Sequence, residues 1–352
     1  MNTISIRILL LVTGLALVGC SGSGGGGEDR SSSASSSSVP DGMIVNPVAP
    51  EGHDPFVVRH QNHYYYIYSH QGSIWINDSD RLEEVVQFEG ARVWTPPPGE
   101  SYSESIWAPE LFFLDDRWYI YFAADDGDNA NHRMYVLSSD NADPLSEYRF
   151  EGQISDPSDR WAIDGTILEL DDQRYFIWSG WPGDENVQQN LYIAPMSGPT
   201  QISGDRVLIS EPEFEWERIG GDHPDFPYVN EGPQVLKHEG RVFVVYSASG
   251  SWTDHYSLGL LELMSDDPLR IDSWYKHDEP VFSGTDNVIS PGHASFTLSP
   301  DGSEHWIVYH SAKYKGAGWD RDVSMQPFEW NTDGTPDFGS PVDKGEPIPA
   351  PQ

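Results

Sequence analysis

The sequence predicts an all-β protein, specifically a five-bladed β-propeller. One strand-turn-strand pattern recurs five times, its copies are spaced like four-stranded blades, and the aromatic residues alternate in short segments instead of forming helical stripes. Aromatic residues make up 12% of the chain, a composition that suits pleated, half-buried strands.

The five copies justify this reading in order. HDPFVVRHQNHYYYIYS begins at His53, WAPELFFLDDRWYIYFAA at Trp107, AIDGTILELDDQRYFIWSG at Ala162, NEGPQVLKHEGRVFVVYSASG at Asn230, and GHASFTLSPDGSEHWIVYHS at Gly292. Each has a leading polar residue, an apolar strand, a turn, and a second strand rich in aromatics. The leading residues are Asp54, Glu110, Asp164, Glu231 and His293, separated by 56, 54, 67 and 62 residues. Turn residues such as Asp115-Asp116, Asp171-Asp172, Glu239-Gly240 and Asp301-Gly302 stand between the alternating segments. A β-sandwich would place strands every 8 to 12 residues, roughly, without this longer period. In a propeller the first strand of each blade lines the central axis, so the five leading residues are expected to converge at one mouth of the channel.

The N-terminus is of another kind. Residues 1–7 carry one positive charge, Ile8 to Val18 is apolar, and Cys20 is the only cysteine. The apolar run is short of the roughly 20 residues a membrane span needs, and its order predicts a secretory signal. Leu17-Val18-Gly19-Cys20 resembles a bacterial lipobox, which implies acylation of Cys20; the alternative is an ordinary signal peptide in which Cys20 is incidental. Residues 21–40 are almost wholly Ser and Gly, a flexible tether. The expected organisation is a lipoprotein signal over 1–19, acylated Cys20 and tether over 20–44, and one catalytic domain over 45–352. It places the protein outside the cytoplasm, at the outer membrane or cell surface, with a lipid anchor as its sole membrane contact. With Cys20 acylated no thiol remains for a disulfide, so stability must come from a large core.

A formal net charge of −36 argues against nucleic acid and anionic membrane surfaces as partners. There is no GxxxxGK[ST], no HExxH and no cysteine metal site. What remains is the carboxylates. Asp54, Asp164 and Glu231 lead three different copies, and like charges brought together raise at least one pKa. Acid-base chemistry on a sugar requires that: one carboxylic acid protonates the leaving oxygen while another, ionised, activates water. With 56 acidic residues, a single acid before Gly or Pro is usually a turn residue; three at matched positions carry the functional reading.

The segments HDPFV, SIWAPEL, AIDGT, NEGPQ and SPGHASF, in that order between Asn46 and Pro341, resemble the family 43 glycoside hydrolases. The resemblance implies a five-bladed propeller and an inverting mechanism without a cofactor. It implies Asp54 as general base, Glu231 as general acid, and Asp164 as the acid that raises the pKa of Glu231 and holds it in place. His293 resembles a histidine near a bound ion, calcium or sodium, beneath the active site; the alternative is a hydrogen-bonding core histidine. Glu110 is expected in substrate contact and axial packing. Trp107 and Trp178 are candidate sugar platforms, although most of the 13 tryptophans must be core. Arg321, in Trp319-Asp320-Arg321, is placed to hydrogen-bond sugar hydroxyls, or else to pair with Asp320 or Asp322.

Within the family, AIDGTILE, YFIWSGW, QNLYIAPMS, VYSASGSWT and WDR resemble enzymes that release arabinose from α-1,5-linked arabinan. Gly165, where endo-acting arabinanases more often carry proline, leans toward exo action. The expected partner is a plant cell-wall polysaccharide or oligosaccharide, met by a monomer. A β-xylosidase, an endo-arabinanase or an exo-galactanase would keep the same acids. The rival from another class is a non-catalytic carbohydrate-binding propeller lipoprotein, which has no need of all three.

Overall fold

The computed structural model of the chain describes residues 39–221 and 226–352. The expected signal sequence, Cys20 and most of the tether lie outside the described residues. Regular structure starts slightly earlier than expected, since Met43–Val45 is already a strand, paired with Pro347–Pro349.

The described residues are all-β. Their helices are a single turn, Leu82–Val85, and three 3-10 turns. Residues 56–94, 104–153 and 289–337 each form a four-stranded antiparallel sheet. Residues 162–210 and 228–276 form two further antiparallel runs, joined into one nine-stranded sheet by a short parallel pairing of Gln188 and Gln189 with Tyr228 and Val229. Taken along the chain these are five runs. The five repeated segments supply the first strand of each: Phe56–His60, Glu104–Leu114, Ala162–Leu170, Tyr228–His238 and Ile289–Leu298.

The turns explain why three of the copies fold back on themselves. Gln61 and Asn62 have φ of 52° and 63°, Asp115 and Asp116 of 50° and 61°, and Glu239 and Gly240 of 47° and 81°. Two successive positive φ values define the type I′ hairpin, whose twist matches that of the flanking strands.

Apolar side chains are sandwiched between runs. One cluster joins the first run to the second through Ile67, Ile76, Trp118 and Phe122. Similar clusters join second to third, third to fourth and fourth to fifth. A fifth cluster packs Tyr64, Tyr66 and Val57 of the first run against Trp306, Val308 and Met325 of the last. The N-terminal segment adds to this last junction. Ala49 and Val323 exchange backbone hydrogen bonds of 3.2 and 3.0 Å, the Asn46 side chain bonds both backbone groups of Met325, and Gly52 N–H donates to the Arg321 carbonyl.

Candidate active site

The first strands do not run straight into the site. Each turns through a residue with positive φ: Asp54 at 45°, Ala108 at 41°, Asp164 at 55°, Gly232 at 54° and His293 at 44°. The ladder to the second strand slips at the same place in the last four runs. Such bulges re-aim side chains next to functional sites. The backbone, not the acid, is therefore what repeats, and this corrects the expected alignment. Asp54, Asp164 and His293 occupy equivalent positions; Glu231 precedes its bulge residue by one and Glu110 follows its own by two.

One cavity of about 840 Å³ receives Asp54, Asp164, Glu231, His293, Trp107 and Arg321. Two expected site residues do not line it. Glu110 points below it, 2% exposed, with Oε1 accepting from the Gln234 amide; the two-residue offset takes it deeper along the strand. Trp178, 3% exposed, packs between Phe176 and Tyr192 in the core. On a strand Trp178 shares a face with Phe176, and that face is covered by the neighbouring run. Trp107 does line the cavity, 39% exposed and stacked on the His132 ring at 4.0 Å. His132 in turn faces Asp125 at 3.0 Å, both fully buried.

The charges are arranged asymmetrically. Burial alone would raise the Asp54 carboxyl, but His293, with Nδ1 3.0 Å from Oδ1, holds it well below the usual carboxylate range. Burial likewise works against the charge on His293, yet the surrounding Asp54, Asp164 and Glu231 push it up to about 10. Asp164 is raised to about 6, by burial and, against the opposing charge of His293, by Asp54; its Oδ2 accepts the Gly232 N–H at 3.0 Å. Glu231 is raised furthest of the three, to about 8, by burial and then by the charge of Asp164. The Tyr256 hydroxyl donates to its Oε1 at 2.8 Å.

Several participants carried no signal as acids or glycines. His310 accepts the Asp54 N–H on Nδ1 at 3.0 Å, so its ring proton sits on Nε2; burial and Arg321 keep the ring neutral, well below its ordinary pKa. A trace of it exists in the repeats. Opposite the bulge on the second strand stand Ala123, Ser179 and Ser247 in the second, third and fourth runs, and a histidine in the fifth. Tyr256, Trp161, Trp252 and Trp319 also line the cavity. Arg321 makes no pair with Asp320 or Asp322, which bind Lys313 and Lys344. Its guanidinium, 1% exposed, donates to the Ser290 carbonyl at 2.8 Å and the Ser290 hydroxyl at 2.9 Å.

Among the described residues no group of three or more His, Cys, Asp or Glu side chains is arranged to hold a metal ion. The groups around His293 are a second imidazole, His310, with ring centroids 5.8 Å away, and Asp54, whose Oδ1 lies 3.0 Å from the His293 Nδ1.

The family profile for Glycosyl hydrolases family 43 matches residues 44–336. The "Extracellular exo-alpha-(1->5)-L-arabinofuranosidase" of Streptomyces avermitilis is 36% identical over 87% of this chain, which spans 65% of that relative's length. The enzyme of the same name from Streptomyces chartreusis is 31% identical, over 77% of this chain and 83% of its own. The crystal structure of an alpha-L-arabinofuranosidase from Lactobacillus brevis superposes with a TM-score of 0.79 at 34% identity, covering 86% of this chain and 98% of that one. The bulged strands, the cavity they share and the span of these matches establish that the chain belongs to glycosyl hydrolases family 43.

Proposed function

We propose that the protein is an exo-α-L-arabinofuranosidase that releases L-arabinose from α-1,5-linked arabinan or arabino-oligosaccharides with inversion. The observation that carries this is one cavity holding an ionised carboxylate, Asp54, and a carboxyl kept protonated to about pH 8, Glu231. Glu231 protonates the departing glycosidic oxygen, Asp54 orients and deprotonates the attacking water, and Asp164 sustains the proton on Glu231. Arg321 and Trp107 contact the sugar. Support for arabinose as the sugar comes from the relatives, whose names specify it.

The same reading makes each antiparallel run a blade and puts five blades around one axis. The apolar clusters support it by packing the last run on the first as they pack each other pair of consecutive runs. Two cross-run bonds agree: His293 N–H donates to Ser247 of the run before at 2.8 Å, and Asp54 N–H donates to His310 of the fifth run. Acylation of Cys20 and attachment to the cell envelope complete the proposal. The relatives' description as extracellular supports export.

Incubation with linear arabinan, xylan and simple arabinofuranosides tests it, with proton NMR of the anomeric region in the first minutes. The expected product is β-arabinose, since inversion requires the acid and the base to stand far enough apart to leave room for a water between them. Release of xylose alone would move the protein to the xylosidases of this fold. Initial α-arabinose would remove the inverting mechanism, and no release of any sugar would favour a carbohydrate-binding propeller.

A further inference from the structure

The cavity rim contains an aromatic cluster that the chemistry above does not use. Trp319 is 54% exposed, an unusual position for so large an apolar ring, yet it is fixed. Its Nε1 donates to the Ser251 hydroxyl at 3.0 Å, and its ring meets Trp252 edge-on with centroids 6.1 Å apart. Trp252 is backed by Phe226 in a stacked contact at 4.6 Å. It also lies so close over Gly250 that a Cβ there would come within 2.3 Å of the indole.

The two loops that carry Trp252 and Trp319, 249–256 and 313–320, are cross-linked by further bonds. Gly316 N–H donates to Asp254 at 2.7 Å, and Arg321 donates to the Ser251 carbonyl. All three aromatic residues line the catalytic cavity. An exposed apolar surface that is rigid and continuous with a binding cavity marks a contact for ligand.

Chemistry says which part of the ligand. The loop 249–256 ends at Tyr256, the residue that holds Glu231. The glycosidic oxygen must take its proton from Glu231, so whatever that oxygen carries away departs on the Tyr256 side. Resting on the proposed activity, we infer that Trp319 and Trp252 form the platform for the leaving-group sugars, stacking the apolar face of the arabinose units that remain on the chain. They thereby set a preference for oligosaccharides over arabinofuranosides with small aglycones.

The test compares kcat/KM for α-1,5-arabinotriose with kcat/KM for methyl α-L-arabinofuranoside in the full protein, Trp319→Ala and Trp319→Phe. The ratio of the two values is expected to fall roughly tenfold in Trp319→Ala, the scale of one aromatic stack, and to be largely restored in Trp319→Phe. A ratio in Trp319→Ala equal to that of the unsubstituted protein overturns the platform, whatever happens to each rate. Because Trp319 is mostly exposed, its replacement leaves the core untouched. Hydrolysis of neither substrate by the unsubstituted protein would instead overturn the arabinofuranosidase reading, so the two failures are distinguishable.

Discussion

Glu231 and Asp54 occupy one cavity and hold opposite protonation states at neutral pH, and the cause can be assigned to individual neighbours. Asp54 has an imidazole at 3.0 Å, whereas Glu231 has burial and a carboxylate beside it. Asp54→Ala and Glu231→Ala should each lower kcat on the order of 10²-fold or more, the scale of lost acid-base help. Glu110→Gln should cost far less, because Glu110 lies below the cavity. Asp164→Asn should move the alkaline limb of the pH–rate profile toward lower pH. In the proposed mechanism the working form of Glu231 is protonated, so activity should fall as pH rises through its pKa of about 8; removing the negative charge of Asp164 lowers that pKa. An unmoved alkaline limb would show that Asp164 does not act on Glu231. The three acids were legible in the sequence because Asp54 and Asp164 occupy the bent position of a recognisable repeat and Glu231 immediately precedes it. His310 was not, because nothing in HWIVYHS separates a site histidine from a core one until its Nδ1 is seen to accept the Asp54 amide.

At the scale of the element, the strand that enters the site must bend at a bulge, and the bend needs space on its inner side. Gly165, next to Asp164, shows how little there is. A Cβ at this position would sit 2.1 Å from the Phe176 ring and 2.8 Å from the Met134 methyl. Gly165→Ala should therefore destabilise the fold by about 1–3 kcal/mol through overpacking, read as a lower Tm. It should also lower kcat, because the strained neighbour is Asp164. Retention of both values would mean that Phe176 swings aside at little cost. The hairpins were legible from their turn residues, since Asp, Asn and Gly tolerate the left-handed φ that type I′ turns demand. The bulges were less so. Asp, Ala, Gly and His occupy the same bent position, and no side-chain signal is shared by all four.

The whole molecule is organised around the junction of its first and last runs. The repeat period made five runs legible, but strand pairing joins the third and fourth into one sheet through a parallel contact that no pattern in the sequence announces. At the opposite junction the Asp54 N–H donates to a residue 256 positions away, and the segment leading into it is bonded to Arg321, Val323 and Met325. This has a consequence for time as well as for place. Contacts so distant along the chain close late, because the loop entropy must be overcome before they reward the fold. On the ribosome, Asp54 is made long before His293 and His310, its partners in the cavity. In refolding experiments strand content measured by far-UV circular dichroism should recover before sugar release does, and simultaneous recovery would argue against this order. The Asp54–His310 contact would then be the seal on the folded domain, its cavity complete only once early-made and late-made segments have met.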